Sequence, residues 1–350
     1  MLCQPKVDRI RFQKDSGRYF RDNPGSKFLV FDGSLQFEPP ENYSEYTNVS
    51  GIDTLIVKVG TSIVAHDDYR RTEYNMNCIS EDLTRLKRER GLNVLLVTSG
   101  AIGLGRKARL TGGARITEEE KDTPQQKRLD SIEGQPLLYD LWKRHFSPQI
   151  VEEFLVTHDD IRDYQKNAKL LERYQRCLSE GGIPVINEDD AKSLEEIDIL
   201  LNGERVFRDN DGLASLHAQF FKNGGYNPLL IILSNTDGIY TAESIRKGEY
   251  TPIRIVKDSK GLEEQELRIS STRGRGGVIS KIEAARDAAL CGIYVAIANG
   301  QFCNHDSPYQ KKLRSSQRKY YALDSILEGE VAGTRFLPRD YTAREYLLAG

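Results

Sequence analysis

Six short segments of this 350-residue sequence combine residue types suited to holding charged groups. Lys58-Val59-Gly60-Thr61-Ser62 places a lysine before a glycine and two hydroxyl residues. Backbone N–H groups and a fixed positive charge in that order can hold a phosphate. A solvent-facing lysine before an ordinary turn reads the same way, and no GxxxxGK[ST] loop is present. Thr98-Ser99-Gly100-Ala101-Ile102-Gly103 is small enough to let an anion reach a helix N-terminus, or to let helix and strand pack closely. Asn187-Glu188-Asp189-Asp190 crowds acidic groups that would repel one another unless an ammonium group or Mg²⁺ relieved them; the alternative is a helix cap with a solvated loop. Arg208-Asp209-Asn210-Asp211 opens a helical stretch with more polar side chains than one N-cap uses. Leu233-Ser234-Asn235-Thr236-Asp237-Gly238 has the look of a nucleotide-proximal turn or of a plain Asp-Gly turn. Arg273-Gly274-Arg275-Gly276-Gly277-Val278-Ile279-Ser280-Lys281 puts three glycines and a lysine at the start of a helix, where amides, dipole and ammonium would all favour an anion. An RGG-type nucleic-acid segment is disfavoured by the regular helix that follows.

Two lysines, two glycine-rich cradles and a set of acids together suit phosphoryl transfer from a nucleotide, which depends on positioning and charge neutralisation. The elements that must position them are legible as short apolar runs: Thr54–Val59, Asn93–Val97, Ile150–Val156, Ile183–Ile186, Leu229–Leu233 and Ile293–Ala298. Each reads as a buried parallel strand. Helical spacing separates them at Ser80–Gly91, Asp130–Phe146, Asn167–Glu180, Asp211–Lys222 and Val278–Cys291. The alternation predicts βαβ units, a parallel sheet covered on both faces, and ligands where strand C-termini meet helix N-termini; four of the six segments follow a strand and the other two open a helix. Residues 1–50 read as an extension, with a hairpin over Lys27–Phe37 turning at Asp32-Gly33; 51–340 form one α/β domain, and 341–350 a short tail.

Composition narrows the classes. Fifty Lys and Arg balance 52 Asp and Glu, for a net charge of −2, which argues against a nucleic-acid binder or a polybasic membrane-surface protein. No apolar run reaches the roughly 18 residues of a membrane span, and the N-terminus lacks a signal-like core, so a cytoplasmic protein is expected. The five cysteines are scattered, without metal-ligand spacing, and are read as reduced thiols.

The ordered series KVGTS, TSGAIGLGR, EGQ, NEDD, RDND and GRGGVISK resembles the amino acid kinase family, and within it the glutamate 5-kinase branch, from about Ile52 to Pro338. The resemblance implies a three-layer αβα sandwich with a largely parallel sheet. Its N-terminal half would hold the amino acid and its C-terminal half ATP, with Mg²⁺ arriving on the nucleotide and no metal held by the protein alone. The implied reaction phosphorylates the side-chain carboxylate of L-glutamate, the first step of proline biosynthesis. A related acid, or a non-catalytic amino-acid or nucleotide sensor, is the alternative. Carried over by motif, Lys58 and Lys281 would neutralise the transferring phosphoryl group and Asp211 would hold both lysines. Ser99, Asp190 and Asn210 would bind the amino acid, with Asn187, Gly134 and Gln135 lining the pocket. Lys58, Gly60, Ser234, Asn235, Gly274, Arg275, Gly276, Gly277 and Lys281 would contact ATP. A homodimer or homotetramer, feedback inhibition by proline and association with the downstream reductase are implied in the same way; the RNA-modification-type domain that many bacterial relatives append is expected to be absent, since the sequence ends soon after Phe336.

Some positions depart from the family pattern. Asp189 stands for an amide, Arg208 for a glycine, Asn235 for an aspartate, Arg275 for a small hydroxyl residue, and Glu133 for a small apolar one. The segment Ala191–Phe207, expected over the substrate, is longer than usual and acidic. An Arg208–Glu133 pair across the pocket would leave these two changes neutral.

Overall fold

A computed structural model describes residues 29–31, 51–66, 68–193, 209–241, 247, 252–256, 275–301, 323, 326–327 and 333–338. Its centre is a sheet of eight strands among the described residues. β2 (Thr54–Val59), β3 (Asn93–Val97), β4 (Val151–Val156), β5 (Ile183–Glu188), β6 (Pro228–Ser234), β8 (Ile255–Val256), β9 (Tyr294–Asn299) and β10 (Gly333–Phe336) lie in the order β4-β5-β3-β2-β6-β9-β10-β8. The first six in that order run parallel; β10 is antiparallel to β9 and pairs in parallel with β8. The sheet is therefore largely parallel, with an antiparallel end.

Helices cover both faces, giving the expected three layers. Leu55, Val57 and Val59 of β2 pack with one cluster, which includes Met76 and Leu83 of α2 (Tyr69–Arg90) and Leu138 and Trp142 of α4 (Pro124–Phe146). Short α1 (Thr61–Val64) and α3 (Ala101–Thr111) complete that layer. Ile56, on the opposite pleat, joins a cluster with Tyr174 of α6 (Tyr164–Ser179), Phe221 of α8 (Asn210–Asn223) and Ala285 of α9 (Arg275–Leu290), together with α5 (His158–Arg162). A four-residue helix, α7 (Asp190–Ser193), follows β5. The period of two in β2 thus decides where Lys58 points, toward the α8 and α9 layer.

Several boundaries move. α2 begins eleven residues before the predicted Ser80, because Asp68 caps it by accepting from Arg70 N, and Thr72, Met76, Ile79 and Leu83 bury one stripe of an otherwise polar segment. α4 begins at Pro124 rather than Asp130. Thr123 is its N-cap and Pro124 occupies the first turn, where a missing N–H is harmless. The predicted hairpin over Lys27–Phe37 is replaced, as far as the described residues reach, by β1 (Leu29–Phe31) pairing in parallel with β7 (Ile239–Thr241). Its turn and second arm, and the 341–350 tail, lie outside those residues. No helix among the described residues is long and apolar enough to cross a membrane.

Candidate active site

Lys58 is the next-to-last residue of β2 and only 4% exposed. Asp211, in the first turn of α8 and 2% exposed, receives it at 2.6 Å through Oδ1 and receives Lys281 of α9 at 2.7 Å through Oδ2. Each carboxylate oxygen is committed to one ammonium group, so the cluster carries a net charge of +1 in a largely dry environment. Burial pushes the Lys58 ammonium below the usual lysine range; Asp211 opposes that shift and the nearby charge of Lys281 adds to it. Burial alone would raise the Asp211 carboxyl, but the two lysines outweigh it and hold it below the usual aspartate range. Two ammonium groups sharing one carboxylate at the C-terminal edge of a parallel sheet suit an anion.

The polar run before α8 divides its labour. Asp209 is the N-cap: its Oδ1 accepts from Asp211 N and Gly212 N, both at 3.0 Å, and its Oδ2 accepts from the Ser280 hydroxyl of α9. Asn210 Oδ1 accepts from Glu188 N of β5 at 3.0 Å. Asp211 is left for the lysines. The three consecutive residues therefore serve three different partners, which accounts for the polar excess beyond one cap.

The four residues Asn187 to Asp190 do not form one acidic cluster. Asn187 shares the α4 face with Val185, and its Nδ2 donates to Gln135 Oε1 at 2.7 Å. Glu188 takes the opposite pleat, shared with Ile186. Asp189 pairs with Lys192 at 2.6 Å; with Lys192 73% exposed, that pair contributes little to stability. Asp190 is the one whose carboxyl is strongly perturbed, pushed up to about 7 by burial and then by the neighbouring Asp189 charge. An ammonium group beside it would restore its ionised form.

Other predicted residues fall in varied places. Ser99 is buried at the end of β3, where Gly100 caps α3 with φ of 116° and a Cβ would lie 2.6 Å from Val64 Cγ2. Small residues here answer both to packing and to the N-terminus of α3. A Cβ at Gly60 would meet only ordinary contacts, 3.6 Å from Leu233 O and 3.8 Å from Lys58 Nζ, so packing does not demand this glycine. Gly134 is a packing residue: α3 crosses α4 there, and a Cβ would sit 1.8 Å from Ala101 O. Ser234 ends β6 and Asn235 follows it, the two joined by a 3.5 Å Oγ–Oδ1 contact, while Gly238 (φ 137°) makes the turn into β7. Asn299 Nδ2 holds Asp237 Oδ1 at 2.8 Å across this edge. Arg275, Gly276 and Gly277 lie inside the first turn of α9, which starts three residues before the predicted Val278. Their amides belong to the unsatisfied set at a helix N-terminus. Gly274, Arg208 and residues 194–207 lie outside the described residues, so the Arg208–Glu133 pair does too; Glu133 itself is exposed.

Sequence reading alone passed over Asp209 as an ordinary cap and missed Glu153, which accepts from Gln135 Nε2 at 2.8 Å. Nothing in the motif pattern marks Glu153, since its role arises only from the pairing of β4 with β5 beside α4.

A model of the amino acid kinase family matches residues 53–299. A protein of Caldanaerobacter subterraneus subsp. tengcongensis named glutamate 5-kinase is 32% identical over 296 residues, covering 81% of this chain and 68% of its own. One of Clostridium acetobutylicum with the same name is 30% identical over 300 residues, covering 83% and 97%. Among solved structures, carbamate kinase from Giardia lamblia bound to AMP-PNP shares the fold at a TM-score of 0.50 and 12% identity, over 82% of this chain and 99% of that one.

Proposed function

Because the chain belongs to the amino acid kinase family, we propose that it transfers the γ-phosphoryl group of ATP to the side-chain carboxylate of L-glutamate, giving L-glutamyl 5-phosphate for proline synthesis. The observation that carries this reading is the Lys58–Asp211–Lys281 cluster, with one aspartate orienting a buried and a partly buried lysine. The names of its relatives supply the amino acid.

The chemistry asks little of a base. A glutamate side chain, with an ordinary pKa of about 4.3, is already a nucleophile at neutral pH. The obstacle is bringing one anion against another. Lys58 and Lys281 lower it by neutralising charge on the phosphoryl oxygens, while Asp211 keeps the two ammonium groups in register. Asp190 and Asn187 would hold the amino acid's ammonium group, with Asn210, Ser99 and Gln135 beside them. Gly60, Ser234, Asn235 and the α9 N-terminus, with Gly274 before it, would take the nucleotide; the free amides of Gly276 and Gly277 suit phosphate. Mg²⁺ would accompany the phosphates and share their charge. Residues 51–340 are then one kinase domain, with the amino acid near β3, β5 and α4 and the nucleotide near β6 and α9.

The test is ATP consumption with L-glutamate and Mg²⁺, trapping the acyl phosphate with hydroxylamine, beside aspartate, acetylglutamate and UMP. Glutamate-dependent hydroxamate is expected. Turnover of another acceptor reassigns the substrate, and no turnover by folded protein with any of the four refutes the kinase reading.

A further inference from the structure

Glu153 lies on β4, the edge strand of the sheet, outside every motif named above. Its Oε1 accepts from Gln135 Nε2 at 2.8 Å, and Gln135 Oε1 accepts from Asn187 Nδ2 at 2.7 Å. A carboxylate accepts hydrogen bonds and cannot donate them, whereas an amide presents either end, depending on how it is turned. A chain of amides anchored on a carboxylate therefore has one direction. Gln135 must give its NH₂ to Glu153 and its carbonyl to Asn187, and Asn187 must give its NH₂ to Gln135. Asn187 Oδ1 is the end left over. It is buried, in a residue 2% exposed, and has no hydrogen-bond partner among the described residues. A buried carbonyl oxygen in that state calls for a donor.

We infer that Glu153 is a positioning residue which, through Gln135, fixes the Asn187 amide so that Asn187 Oδ1 accepts a hydrogen bond from the ammonium group of the amino acid substrate. This rests on the reading of the site given above. Without Glu153, the Asn187 amide is free to turn and present N–H groups to a cation. The selectivity for an amino acid over the same acid lacking its amino group would fall with it.

The experiment has two arms. In substrate-free protein, ¹H–¹⁵N spectra of the side-chain amides, assigned with Gln135→Leu and Asn187→Leu, should show exchange-protected N–H signals from both residues that Glu153→Leu abolishes. In the kinetic arm, Glu153→Leu should raise the KM for L-glutamate by about tenfold or more with kcat within about twofold, and narrow the preference for L-glutamate over glutarate. Glu153→Gln, whose carbonyl can still accept but whose NH₂ can also donate and reverse the relay, should recover at most part of the loss. Unprotected amides in the wild-type chain would overturn the relay whatever the substrate. Protected amides with an unchanged KM in Glu153→Leu would overturn the positioning role. Protected amides with no glutamate turnover by the wild-type chain would support the relay and refute the substrate assignment instead.

Discussion

Gly105 and Gly134 meet backbone to backbone where α3 crosses α4. A Cβ on Gly105 would lie 1.8 Å from Asp130 O and 2.6 Å from Gly134 N, and one on Gly134 would lie 1.8 Å from Ala101 O and 2.6 Å from Gly105 N. The obstacles are main-chain atoms, so no side chain can swing aside. Gly134→Ala and Gly105→Ala should each destabilise the protein by about 3 kcal/mol, the upper part of the usual overpacking range. Thermal melts check this. A melting temperature unchanged in both variants would mean that the helices do not cross at this distance.

The Lys58–Asp211–Lys281 cluster separates activity from stability. Lys58→Ala and Lys281→Ala should cut kcat by about 10²–10³ or more, through lost stabilisation of transition-state charge, and leave a folded protein. Asp211→Asn should do both kinds of damage, because it strands two inward-facing ammonium groups; stability should fall by about 3–5 kcal/mol. Urea titrations beside steady-state kinetics distinguish the two, and near-normal turnover in either lysine variant would contradict the assignment.

Asp190, pushed up to about 7, predicts a pH effect on the amino acid. In the proposed site its ionised form would bind the ammonium group, so the KM for L-glutamate should rise as pH drops below about 7. Asp189→Asn removes the like charge beside it and should move that rise to lower pH. The stability effect has the opposite sense. A raised carboxyl pKa favours the folded state below the unfolded value of 3.8, and that contribution is lost as pH climbs to about 7. Asp190→Asn should therefore gain stability relative to wild type at pH 8 in the absence of substrate. A KM that stays flat between pH 6 and 8 would remove Asp190 from the binding site.

His217 gives a second titration, far from the chemistry. Burial holds it down to about 4. Its Nδ1 bonds to Leu213 O at 2.8 Å and its Nε2 takes the Tyr174 hydroxyl at 2.7 Å, so it is neutral when folded. The unfolded chain binds a proton near 6.5. Stability should fall as pH drops from about 6.5 to 4, by up to about 3 kcal/mol from this residue. His217→Leu should flatten the slope while lowering stability at pH 7, since it leaves the Tyr174 hydroxyl without its partner. Melting temperatures of both proteins across this range decide the matter.

The parallel core was legible because strands buried on both faces leave continuous runs of β-branched and aliphatic residues, as Thr54–Val59 and Leu229–Leu233 do. Lys58 stood out because it interrupts such a run. The start of α2 was hidden because its buried stripe is thin and set among arginines and acids. The start of α4 was hidden because Pro124 reads as a breaker until Thr123 is seen as a cap. Gly134 was legible as a motif residue but not as a packing one, since its partner is 29 positions away on another helix. Glu153 was invisible for the same reason: a side chain whose meaning lies in what it fixes elsewhere leaves no local pattern.

Asp209, Asn210 and Asp211 reach α9, β5 and the β2 lysine from one helical turn. Whatever settles against the N-terminus of α9 and shifts it pulls on Asp209 through Ser280 and on Asp211 through Lys281. One peptide further, Asn210 passes that displacement to the backbone of Glu188, beside the residues proposed for the amino acid. If both regions bind as proposed, occupancy of either would alter affinity in the other. Such coupling would be reciprocal: the factor by which an occupant of one region changed affinity in the other would apply equally in reverse.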